Sequence, residues 1–373
     1  MSANNKVILR NARTDDLTTL WPLCSKYFTS CENSSYEDFV KLWEYRWNSP
    51  ARAENDPLGW VLEDEQGRVK GFLANIPLMI RSGAELIKGY AASTWVAEPS
   101  VRKNSLDLFR RFRRFSQNTF LLDATASFVA SRVCKRLGLT PIHTQKCQQR
   151  YLWVMDPVNY LKAIKSGRTN IITKIILTKP FLYLAVLFFS VYLYYKKSEV
   201  YSNQPSFKFL PVKEFDHEYD MFWDSIKLGL GIVHERKSGF MNWRHINLPY
   251  LNGGAFPFVC KDKENHALGY LVCKTAGANG NRAKQFIITE ILFAEGRQDV
   301  FLFMVAEAYK FARKQAAASL EVFGFNEDLM EGLLQFKPLV AQQSYISYWF
   351  LAPPQLKGVK KFWLSAVDGD LNL

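Results

Sequence analysis

The chain is poor in histidine, with 5, and in cysteine, with 6, among 373 residues. No two cysteines form a C-x-x-C pair and no histidines stand at metal-ligand spacing, so no resident metal and no dithiol redox motif are expected. Cys24, Cys31, Cys134, Cys147, Cys260 and Cys273 read as reduced thiols, because a chain of this length buries a core without disulfide staples. The opening "MSANNKVILRNARTDD" has no apolar h-region, and no secretory signal is expected there. Acidic residues are scarce as well: 35 Asp and Glu face 48 Lys and Arg, a formal charge of +13. That excess favours anionic partners, such as phospholipid head groups, phosphorylated substrates or nucleic acid, and does not choose among them.

Long apolar runs are absent with one exception. Residues 171–195 read "IITKIILTKPFLYLAVLFFSVYLYY", uncharged from Phe181 to Tyr195. A full span needs about 20 apolar residues, and Lys174, Lys179 and Pro180 interrupt the first part of this one. Lys162, Lys165 and Arg168 precede it, Lys196 and Lys197 follow, and three tyrosines gather at one end. The pattern suits a helix or short hairpin lying in an anionic leaflet through residues 171–197. Burial between domains is the alternative.

What is present is a repeat. "YRWNSPARAENDPLGWVLEDEQGRVKGFLANIP" from Tyr45 parallels "NWRHINLPYLNGGAFPFVCKDKENHALGYLVCK" from Asn242. Each opens on an aromatic beside an arginine: Arg46 with Trp47, and Trp243 with Arg244. A proline follows, then a strand, a charged turn and a glycine (Gly71; Gly269) opening a second strand. What comes next also matches in order. A strand at Tyr90–Ala97, a helix from Ser105 to about Asn118, the strand "TFLLDATAS" and a helix ending at Gly138 make one half. The strand "QFIITEILFAE", the periodic helix "DVFLFMVAEAYKFARKQ", the strand "SLEVFGFN" and the helix "EDLMEGLLQFKP" make the other. Strands alternating with helices predict an α/β fold with each sheet covered on its faces.

These segments resemble GNAT-fold acyltransferases. "VILRNARTDDLTTLWPLC" looks like the first strand and helix, "GWVLEDEQGRVKGFLANIPL" like the central hairpin, "STWVAEPSVRKNS" like the fourth strand and acyl-CoA loop, and "SRVCKRLGLTP" like the closing helix. The second half, with "MNWRHINLP" and "FWLSAVDGD", is similar to tandem GNAT-like proteins of bacterial surface-polysaccharide gene sets. The resemblance covers the chain outside the hydrophobic segment and implies two GNAT-like mixed-sheet domains, residues 1–157 and 206–373; the segment between them, 158–205, reads from its own composition as a hydrophobic helical membrane-associating insertion. The resemblance implies acetyl-CoA or another acyl-CoA as donor and a sugar or lipid-linked sugar as acceptor, the hydrophobic segment would hold the protein at the inner face of the cell membrane, and nucleic acid is disfavoured. Donor contacts fall on Val96, Arg102, Lys103, Asn104 and Ser105. Here Ser105 and Asp107 stand where the family's loop has glycines, and Asn104 and Asp107 have the spacing of a capping box. Asp299 is expected to cap the equivalent helix. The family's acid–base positions put Glu98 and Glu290 forward as bases and Cys134 as the acid, while Asp123, a carboxylate inside the apolar strand "LLDATAS", is either hydrogen-bonded structure or a base or substrate ligand. Arg46, Trp47, Trp243 and Arg244 are candidates for an acidic substrate. Two other readings stay open: a non-catalytic scaffold of polysaccharide assembly, and a Fem-type transferase taking aminoacyl groups from tRNA.

Overall fold

The computed structural model describes residues 7–28, 35–116, 118–142, 149–161, 187–188, 191, 206–249, 254–276, 284–323, 327–342, 347–356, 361–365 and 368. The first half runs β1 (Ile8–Asn11), α1 (Leu17–Tyr27), α2 (Tyr36–Trp47), β2 (Gly59–Glu63), β3 (Val69–Ser82), β4 (Glu85–Ala97), α3 (Ser105–Phe115), β5 (Phe120–Ala126), α4 (Phe128–Arg136), β6 (Thr140–Pro141) and β7 (Gln149–Val154). The second runs β8 (Lys208–Pro211), α5 (His217–Ile226), β9 (Ile232–His234), β10 (Ala255–Lys261), β11 (Ala267–Ala276), β12 (Gln285–Phe293), α6 (Gln298–Lys314), β13 (Ser319–Phe323), α7 (Glu327–Leu333), β14 (Leu339–Gln342), β15 (Ser347–Leu351) and β16 (Phe362–Trp363).

Two sheets form, with one strand order used twice. The first is β1-β2-β3-β4-β5-β15-β6, and the second is β8-β10-β11-β12-β13-β7-β14. Matching β1 to β8, β2 to β10 and onward, the orders coincide, and the repeat read in the sequence is a repeat of topology. Gly71 pairs with Leu62 and Ala97, and Gly269 with Cys260 and Phe293, so the repeated glycine holds one place in both sheets. A Cβ at Gly269 would meet the Leu292 carbonyl at 2.8 Å.

The sheets trade a strand. β7, from the first half, lies between β13 and β14, and β15, from the second, lies between β5 and β6. The expected division at residue 157 did not foresee this exchange. It brings Arg150 of β7 to Glu321 of β13 at 3.3 Å, and burial pushes that carboxyl up.

Helices cover each sheet because their apolar residues fall on one stripe. On α3, Leu108, Phe109 and Phe112 are buried against Leu121 of β5, and the arginines point out. On α6, Val300, Met304 and Ala308 pack on the second sheet. The halves meet where the two repeated aromatic elements face each other. Tyr45 Oη donates to the Trp243 carbonyl (2.6 Å), Trp243 Nε1 donates to the Tyr45 carbonyl (3.1 Å), and the rings stack at 5.0 Å. The C-terminal segment ties down this seam: β16 pairs with β9, and β9 pairs with the far end of β3. Gly231, at φ 77°, lets the Lys361 carbonyl approach to 2.5 Å from where a Cβ would stand.

Most of the insertion expected at 158–205 lies outside the described residues. Leu187, Phe188 and Val191 are helical and exposed. Among the described residues no helix is long and apolar enough to cross a membrane.

Candidate active site

In each sheet two neighbouring strands run parallel and then part. β4 and β5 pair from Gly89 and Phe120 to Ala92 and Asp123, and no further, although β4 continues to Ala97 and β5 to Ala126. β12 and β13 pair from Gln285 and Ser319 to Ile288 and Val322. At each parting the fourth strand bulges. Thr94 and Trp95 together oppose Leu73, and Thr289 is the extra residue between Ile288 and Glu290. Thr94 sits at φ 52°. A β-branched residue held there costs about 1–3 kcal/mol, strain of the kind that collects at functional sites.

At the first parting stands Asp123, buried, on the face that α3 and α4 cover. Cys134 Sγ donates to Asp123 Oδ2 at 3.4 Å, so the structure joins two residues chosen separately from the sequence. Burial, then the Asp123 charge, push the Cys134 thiol far above its ordinary range. A thiol held there is a poor acid for a departing thiolate. In this position the thiol holds the Asp123 carboxylate. Glu98 is engaged at the rim: Lys70 Nζ donates to it at 2.9 Å, and its own backbone N–H donates to the Lys70 carbonyl.

The turn between β4 and α3 differs from the expected phosphate cradle. Residues Pro99–Asn104 form a 3-10 helix that runs into α3. The Val101 N–H donates to Glu98 and the Ser105 N–H to Arg102, while Ser105 Oγ donates to the Arg102 carbonyl at 2.8 Å. Two amides of the turn, those of Val101 and Ser105, are thereby taken. Asn104 makes no side-chain cap and Asp107 pairs with Arg110 at 3.0 Å, so there is no capping box. Val96 is buried, whereas Arg102 and Lys103 are exposed.

The second parting is filled. Glu290 is buried with Arg236 Nε at 3.1 Å and an Arg244 nitrogen at 3.9 Å. The same guanidinium groups reach Asp368, at 2.8 and 3.2 Å. Arg236 also donates to the His234 carbonyl and to Ser365 Oγ, and the Ser365 N–H donates to Asp368. Burial pushes the Glu290 carboxyl up; it also raises that of Asp368, but Arg236 and Arg244 outweigh it and hold Asp368 low. Glu290, put forward as a base, is thus locked among cations. Burial, aided by Arg244, draws Lys274 down to about 7 beside them. Gly296 and Arg297 form a tight turn before α6, and Asp299 pairs with Arg297 at 2.9 Å; the cap position is Arg297, not Asp299.

The aromatic–arginine elements are packed into the seam. Trp47 Nε1 donates to the Leu58 carbonyl at 2.9 Å, Trp243 bonds Tyr45, and the Arg46 guanidinium lies 5.0 Å from the Trp43 ring centre. Arg244 is buried in the ion network. Reading the sequence missed Arg236 and Asp368, 132 residues apart. Arg236 follows the apolar "IV" of β9, and that was the one signal of its burial.

No protein-family model and no curated protein matches the sequence. Solved structures do match. N-myristoyltransferase of Saccharomyces cerevisiae with bound myristoyl-CoA has a TM-score of 0.57 at 8% identity, over 95% of this chain and 81% of that one. A GCN5-related N-acetyltransferase from Anabaena variabilis has 0.55 at 11%, over 92% and 72%. The glucosamine N-acetyltransferase region of a fungal multi-domain β-N-acetylglucosaminidase has 0.55 at 12%, over 93% and 38%. At these identities the likeness concerns the fold, and that fold is two GNAT-like mixed sheets in tandem, shared with N-acyltransferases.

Proposed function

We propose that the protein is an acyl-CoA-dependent acyltransferase whose reaction takes place in the first half, where β4 and β5 part. One observation carries this reading: the parting falls immediately after Asp123, beside a strained bulge. Where paired strands separate, facing backbone N–H and C=O groups lose their partners. An extended ligand with amides of its own can take their place, and the pantetheine arm of a CoA thioester is such a ligand. Arg102 and Lys103 would meet its phosphates from the adjoining turn. Asp123 would accept the proton of an attacking amine or hydroxyl as the new C–N or C–O bond forms and the C–S bond breaks, and Cys134 fixes its carboxylate.

An amino sugar of a bacterial surface-polysaccharide precursor is the acceptor we favour. The sequence resemblance supports it, as does the likeness to the fungal glucosamine N-acetyltransferase region. The inner membrane face, reached through residues 171–197, is the proposed place. The closed 3-10 turn favours a second reading, a non-catalytic binding protein of the same assembly. Calorimetry with acetyl-CoA and with a long-chain acyl-CoA separates the two, followed by an assay of thiol release in the presence of glucosamine. Acyl transfer predicts binding of one donor and acceptor-dependent thiol release. No binding of either donor overturns it, and binding without thiol release moves the protein to the second reading.

A further inference from the structure

The outer face of α3 and α4 is more basic than either helix needs for solubility. Arg110, Arg111, Arg113 and Arg114 are exposed on α3, and Arg132, Lys135 and Arg136 on α4. Asp107, paired with Arg110, is the one acid on the two helices. The helices form one surface, since the Arg113 guanidinium lies beside Gly138, just past the end of α4. Along the other flank of α3 a groove of about 530 Å³ opens against β1 and β2. Arg10 there is paired with Asp16 and Glu63, whereas Arg111 and Arg114 have no ion-pair partner among the described residues.

Two apolar residues stand out of this surface. Phe128 is 76% exposed and Val129 62%, side by side at the start of α4, with the Arg132 guanidinium 4.9 Å from the Phe128 ring centre. Phe115 adds a partly exposed ring at the end of α3. Water gains nothing from such a pair. A bilayer boundary accommodates it, with the apolar tips among acyl chains and the cations at the phosphates. Nucleic acid would use the cations and could stack on Phe128, but Val129 has no π face to offer a base.

We propose that this α3–α4 face docks on a bilayer surface carrying anionic lipid. The inference is independent of acyl transfer and rests on residues other than 171–197. Binding follows from charge complementarity and so weakens as salt screens it. Each cation near such a surface contributes about fivefold to the partition constant, so removing three costs about 100-fold.

The test is co-sedimentation of the full chain with phosphatidylcholine vesicles, with and without phosphatidylglycerol, at low and high salt. The variants are the triple Arg110→Gln, Arg114→Gln, Arg136→Gln and the single Phe128→Ser. All four positions are exposed, and urea midpoints matching wild type establish that the fold is intact. The expected result is preference for the anionic vesicles, roughly 100-fold weaker partition of the triple, and a smaller loss for Phe128→Ser. The proposal is overturned by three outcomes: equal binding to neutral vesicles or to none; a triple variant that partitions like wild type; or a triple that loses RNA binding while its vesicle partition stays unchanged.

Discussion

The two strand partings are built alike and filled differently. At the first stands one buried carboxylate beside a thiol. At the second, two carboxylates and two guanidinium groups interlock with the C-terminal segment. Duplicating the fold supplied the same backbone opening twice. The first opening holds Asp123 beside Cys134, and the second is closed by an ionic clasp. A buried ion network of this kind contributes little net stability, yet removing one member leaves charges stranded. On the proposed function, the contrast separates a residue whose loss should harm chemistry from residues whose loss should harm folding.

The largest way to break the comparison is Arg236→Ala. It strands Glu290 and Asp368 and should cost about 3–5 kcal/mol in a urea melt; a midpoint shift within error would mean the clasp is ornamental. Asp123→Asn is the opposite test. Thiol release should fall about 100-fold or more while the urea midpoint barely moves, and retained turnover would remove Asp123 from the chemistry. Gly231→Ala probes the tail alone. With φ 77° and the Lys361 carbonyl in the way, it should cost roughly 1–3 kcal/mol and loosen β16, seen as faster amide exchange at Phe362 and Trp363.

The smallest effect is one of pH. Lys274 titrates near 7 when folded and near the ordinary lysine value when unfolded. Between those values the unfolded chain holds the extra proton, so stability rises with pH, by at most about 1.4 kcal/mol per unit. Below 7 the buried charge is present in both states and its cost is felt in full. Melts at pH 7 and pH 8 should show this rise in wild type and lose it in Lys274→Met. The buried thiols act in the opposite sense, but their effect begins higher, and it is common to both proteins. An equal slope in the variant would assign the rise to other groups.

The repeat was legible because glycines, hairpins and helix periods recur at matching places. Gly71 and Gly269, and the strand carrying Asp123, were found from spacing and polarity alone. The strand exchange was not, since nothing in "QRYLWV" or "SYWFL" records which sheet an apolar run will join. Asp123 stood out as a carboxylate inside an apolar strand, and it proved to be at the parting. The capping-box spacing of Asn104 and Asp107 did not carry into the structure, because Pro99 starts the helical backbone six residues earlier than Ser105. Arg236 and Asp368 were invisible for a different reason: a long-range ion pair leaves no periodic mark.

Hydrogen–deuterium exchange, read peptide by peptide with and without a non-hydrolysable acyl-CoA analogue, tests the assignment of function to one half most directly. The account predicts slower exchange across residues 93–105 and 120–126 and none of that change across 285–299. Protection confined to 285–299, or equal in both halves, would contradict it.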